Sequence, residues 1–170
     1  MMDILIIINM FFLILKKKKI TANFYPPKKI IENKIVLDVN KIHFILEKEQ
    51  NHKKILKEIN NYLIKENMKP ISDEDIKKIN LKSRFDPKET TLIKRLLQFY
   101  LPAKIRKKII NLLFTKILNI KLNDFSKILY MNKKQIKEMY SENMCFGSHG
   151  DYHYWWEHLK KEDQEKEIKN

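Results

Sequence analysis

The chain has 170 residues, 44% hydrophobic and 33% charged, which suits one domain with a real core and excludes a disordered chain. Its net charge of +14 invites nucleic-acid binding, yet Arg84, Arg95 and Arg106 are its only arginines, and base and phosphate recognition favours the arginine fork. Ile, Lys and Asn, all encodable with A/T-only codons, are abundant together. A low-GC bacterial genome therefore accounts for much of the bias, and the lysines read as solvated helix faces with no specific nucleic-acid partner.

Residues 4–15 are strongly apolar apart from Asn9, but shorter than the roughly 20 residues a membrane-spanning helix needs. The positive run Lys16-Lys17-Lys18-Lys19 follows this stretch rather than preceding it, the wrong order for a signal peptide. The expectation is a cytoplasmic chain without a firm membrane anchor. Residues 20–25 read as a strand stopped by Pro26-Pro27. Residues 36–39 lead into a helix with Ile42, Ile45 and Leu46 on one face, and His43 beside that face reads as packed or superficial.

From 53 to 142 the pattern is helical. Ile55, Leu56, Ile59, Tyr62 and Leu63 form an amphipathic stripe. Ser72 and Asp75 have capping-box spacing, with Ile71 and Ile76 placed as a hydrophobic staple. Asp86-Pro87-Lys88-Glu89 predicts an N-cap at Asp86 and proline at the first helical position. Leu92, Ile93, Leu96 and Leu97 follow; Pro102 restarts the pattern with Ile105, Ile109, Leu112, Leu113 and Ile117. Asn132 and Gln135, flanked by Met131 and Ile136, open a last short helix.

Met144-Cys145-Phe146 then reads as a buried strand opening into Gly147-Ser148-His149-Gly150-Asp151-Tyr152-His153-Tyr154-Trp155-Trp156. The lone Cys145 excludes an intrachain disulfide and a cysteine-based zinc motif; it reads as a small buried hydrophobe rather than a nucleophile. Gly147 and Gly150 are the only glycines, and a chain this poor in glycine uses one where the backbone needs positive φ or close approach. His149 and His153 stand four apart, a spacing that lets two imidazoles converge from one helical turn on a single cation.

The string from Cys145 to His153, with Leu159 and then Glu162-Asp163-Gln164-Glu165-Lys166-Glu167-Ile168, resembles the second motif of NodB-type polysaccharide deacetylases (carbohydrate esterase family four). Residues 20–27 are similar, more loosely, to that family's second strand. The resemblance implies an α/β fold: a fragment of a deformed (β/α) barrel, one partial domain over residues 1–170. A long helical insertion over residues 37–142 would make the chain predominantly α-helical. It further implies that His149 and His153 ligate a divalent metal, most often zinc, and that Ser148, Gly150, Asp151 and Tyr152 form the loop holding them. At Gly150 the family more often has Ser or Thr. Trp155 and Trp156 either stack on sugar or pack in the core. The implied substrate is an N-acetylated polysaccharide or sugar intermediate, whose amide carbonyl the metal would polarise while activating water.

Catalytic zinc takes three protein ligands and an open position for water. In the family the third ligand is the second Asp of a Thr-Phe-Asp-Asp-Gly motif whose first Asp is the general base. No Asp-Asp-Gly occurs in this sequence; its place, one helix before Ile20, falls at or before Met1, and the motifs carrying the general-acid histidine and an arginine would fall beyond Asn170. Met1-Met2-Asp3 must be encoded ATG-ATG-GA(T/C), and the same bases read one position earlier force Asp-Gly. The expectation is that residues 1 to about 13 are an out-of-frame reading of the first motif, that Asp3 is no catalytic carboxylate, and that the chain alone is inactive. Two readings compete with the deacetylase: a basic helical, non-enzymatic protein binding nucleic acid or a membrane surface, and a decayed gene product.

Overall fold

The computed structural model describes residues 4–33, 35–79 and 81–169; Asp3 lies outside them. The chain is predominantly helical. Among the described residues there are ten α-helices, α1 to α10, and one pair of two-residue strands, Asn23–Phe24 (β1) and Cys145–Phe146 (β2). These strands pair in parallel, Asn23 opposite Cys145 and Phe24 opposite Phe146. The described sheet ends there, and no described helix is long and apolar enough to cross a membrane.

Both strands are shorter than the apolar runs predict, because helix ends consume their first residues. Helix α1 (Ile4–Lys18) closes with Lys19 at φ 53° and a hydrogen bond from the Ile20 N–H to the Leu15 carbonyl. Helix α9 (Lys133–Ser141) closes in the same way, with Asn143 at φ 63° and the Met144 N–H bonded to the Met139 carbonyl. These are left-handed C-terminal motifs usually built with glycine. Having only two glycines, this chain uses asparagine at Asn67, Asn119 and Asn143 instead, the residue that tolerates the left-handed region next best.

The chain divides into two compact units. The first comprises Met1–Leu37 and Ile120–Asn170 and contains α1, β1, α2 (Lys28–Asn33), α8 (Leu122–Leu129), α9, β2 and α10 (Lys161–Lys169). Phe12 and Leu15 of α1 are buried with Met139 and Met144, and Ala22, Phe24, Met131 and Phe146 pack against them. The Phe24 and Phe146 rings stack at 5.6 Å. Cys145 is exposed, contrary to its expected burial: strand side chains alternate, and with Met144 buried and Phe146 against Phe24, the cysteine faces out.

The second unit, Asp38–Asn119, holds α3 (Asp38–Lys48), α4 (His52–Lys65), α5 (Asp73–Lys78), α6 (Lys88–Arg95) and α7 (Ala103–Leu118). Helices α8 and α9, grouped by sequence with the helical segment 37–142, thus lie in the first unit. The stripes fall where their spacing places them, with Ile42, Ile45, Ile55, Ile59, Leu63, Ile109 and Leu113 fully buried. Leu112 instead faces solvent, and Ile110 and Phe114 take the interior. Lys41 is buried too, its Nζ donating to Asp38 Oδ1 and Asn111 Oδ1 at 2.8 Å each.

The capping boxes at Ser72/Asp75 and Asn132/Gln135 both form. Asp86 is no N-cap: Pro87 takes that position without a side-chain cap, and the Asp86 carboxylate accepts from Lys94 Nζ at 2.8 and 3.0 Å. Helix α6 runs on into a π-helical turn, Leu96–Tyr100, where Arg106 Nη1 donates to the Phe99 and Leu101 carbonyls at 2.9 and 2.6 Å.

Candidate functional site

Strand β2 ends into the loop that carries both predicted metal ligands. The Cys145 N–H donates to the Ala22 carbonyl and the Gly147 N–H to the Phe24 carbonyl, each at 2.9 Å, so β1 fixes where the loop begins. Gly147 leaves room for the exposed Tyr25 ring: a Cβ there would lie 2.6 Å from a ring carbon, so the ring would have to shift.

Residues 149–153 are not helical, contrary to the single-turn geometry their spacing suggests. Gly150 sits at φ 66° and His153 at φ 59°, and the two left-handed residues fold the loop back on itself. The turn still brings the imidazoles of His149 and His153 together, with ring centroids 4.8 Å apart and planes at 61°. Both rings are exposed. The rings meet edge to face.

The clamp on this loop comes from residues that sequence reasoning missed. Glu167, the buried residue of α10, accepts at Oε2 from the Asp151 N–H at 2.5 Å and the Tyr152 N–H at 3.3 Å. A Cβ on Gly150 would stand 2.8 Å from that same oxygen. Positive φ and this approach together account for glycine where the resembling family more often carries Ser or Thr. Asp151 is buried, and its Oδ2 lies 3.6 Å from Lys29 Nζ of α2. Gln164 Nε2 donates to the Trp156 and Leu159 carbonyls at 2.8 and 3.2 Å, holding the 3-10 turn Trp156–His158 against α10. Nothing in the sequence marks Glu167 out from Glu162, Asp163 and Glu165 around it. The one usable signal was Gly150, whose missing side chain implies a close neighbour.

The remaining predicted residues divide. Ser148 is exposed beside the pair. Tyr152 stacks on Tyr154 at 5.3 Å. Trp155 and Trp156 are 37% and 45% exposed, so neither is a core residue, and Trp155 stacks on His158 at 6.0 Å. Among the described residues, no three or more His, Cys, Asp or Glu side chains are grouped so as to hold a metal ion. Comparison with protein families, curated proteins and solved structures finds no match to the chain.

Proposed function

We propose that residues 145–168 carry the metal-ligand motif of a NodB-type carbohydrate deacetylase, in which His149 and His153 bind a divalent cation, most naturally zinc. The observation that carries this reading is the separation of the two rings. Imidazoles sharing a tetrahedral zinc, with Zn–N of about 2.0–2.1 Å, place their ring centres roughly 5 Å apart, and these rings stand at 4.8 Å. The parallel strand pair that delivers the loop, and the exposed Trp155 and Trp156 next to it, are further support. In this reading the fold is a fragment of a (β/α) barrel and the tryptophans offer flat faces to an N-acetylated sugar. When bound, the metal would polarise the amide carbonyl and acidify a water. The chain's own part is to aim two imidazoles and hold their loop through Glu167.

The test is metal content after dialysis against a zinc buffer, for the wild type and for His149→Ala and His153→Ala, with far-UV circular dichroism confirming that the variants remain folded. Weak, easily chelated zinc in the wild type, lost in both variants, is expected, since two ligands leave half of a tetrahedral shell to water. Equal zinc in all three proteins would remove the site. The sequence holds no Asp-Asp-Gly base motif, and a general base or acid typically contributes about a hundred- to ten-thousand-fold each. The 170-residue chain should therefore release no acetate from N-acetylated oligosaccharides, whereas the chain joined to the family's Thr-Phe-Asp-Asp-Gly and general-acid motifs should. Robust turnover by the chain alone would show the active site to be elsewhere.

A further inference from the structure

We propose that the second unit carries a docking site for single-stranded nucleic acid, bound without sequence preference and centred on Phe85. This goes beyond the deacetylase reading and rests on none of its residues. Phe85 is 84% exposed. It is held out by an ordered turn: Ser83 Oγ accepts from the Phe85 and Asp86 N–H groups at 3.3 and 3.0 Å. The Asp86 carboxylate is tied to Lys94 of α6. The ring is therefore presented to solvent by its own local hydrogen bonds.

Its neighbours Arg84 and Asp86, though not Phe85 itself, line an open groove of about 780 Å³ together with Lys77, Lys82 and Lys88. The acid in that lining, Asp86, is already neutralised by Lys94 at 2.8 Å. Among the described residues, Lys77, Arg84 and Lys88 form no ion pair. The Arg84 guanidinium lies 5.3 Å from the Phe85 ring centroid, joining the cationic groove to the aromatic platform. Unpaired cations along a groove recognise a phosphate backbone, and an exposed ring beside them takes an unstacked base, which single strands offer and duplexes do not. One ring set among cations offers little apolar area to a protein partner.

The test uses the full chain and fluorescence anisotropy with labelled oligo(dT), against a duplex of equal length, over a salt series. Single strand should bind more tightly than duplex. Phe85→Ala should weaken single-strand binding about tenfold, with Phe85→Tyr retaining it, as expected for one base-stacking contact. Arg84→Ala with Lys88→Ala should lower the slope of log affinity against log salt by about one to two. The control pair Lys133→Ala with Lys134→Ala removes equal charge from α9 in the other unit and should leave the preference for single strands intact. No binding, wild-type binding by Phe85→Ala, equal affinity for duplex, or the same loss in the control would each overturn the proposal.

Discussion

Substituting Gly150 by alanine probes the loop at the point where backbone and packing meet. At φ 66° a non-glycine residue costs about 1–2 kcal/mol. The new Cβ would also meet Glu167 Oε2 at 2.8 Å, so the carboxylate must retreat from the amides of Asp151 and Tyr152. A hydrogen bond to a charged acceptor contributes about 1.5–3 kcal/mol. Against this, alanine leaves the unfolded chain less entropy to lose, which returns about 0.4–1 kcal/mol. The net expectation is a loss of about 2–4 kcal/mol. Trp155 and Trp156 are the only tryptophans and both lie in this loop, so their emission during urea unfolding reports on it directly. In a Glu167→Ala background the same glycine substitution should cost only the backbone part less the same unfolded-state return, about 0–1.6 kcal/mol, because the two residues share one contact. An unchanged midpoint for Gly150→Ala, or an equal cost in both backgrounds, would refute the account of the clamp.

Leu113→Ala, at a fully buried position of α7, should cost about 2–5 kcal/mol through the cavity it leaves, read from the far-UV circular dichroism unfolding midpoint. The Asp75 carboxyl is held down at about 2 by hydrogen bonds from the Ser72 hydroxyl and backbone and from the Tyr100 hydroxyl. Because its folded value is depressed, its contribution is complete above the ordinary 3.8 and is lost as pH falls toward about 2. Asp75→Asn should therefore lower stability at neutral pH while flattening its fall over that acid window, and an unaltered pH profile would count against the capping network. Exposed Cys145 should react with a thiol reagent in the native protein at nearly the rate of the unfolded chain; strong native protection would mean that β2 presents its other face.

The helices of the second unit were legible because their signals are local. Apolar residues at helical spacing fix one buried face whatever the partner, as at Ile55, Ile59 and Leu63, and a capping box such as Ser72 with Asp75 closes within four residues. The sequence also singled out the loop itself, through its two glycines and its paired histidines. Its conformation was not legible. The histidine spacing suggested a helical turn, whereas the structure uses left-handed residues at Gly150 and His153, stabilised by Glu167 sixteen positions beyond Asp151.

The composition and local spacing of this chain determined that it would be mostly helical, where several helices begin, and which residues form their buried stripes. Tertiary structure alone decided which residues pair as strands, Asn23 with Cys145 and Phe24 with Phe146, once the Schellman-type ends at Lys19 and Asn143 have taken the amides of Ile20 and Met144. It decided that Cys145 faces solvent while Phe146 meets Phe24, that Leu112 yields the interior to Ile110 and Phe114, and that one glutamate among several becomes the clamp. The reason is common to all four. Periodicity and capping are set by neighbours within about a turn along the chain, whereas strand length, facing and burial depend on groups that only folding brings alongside.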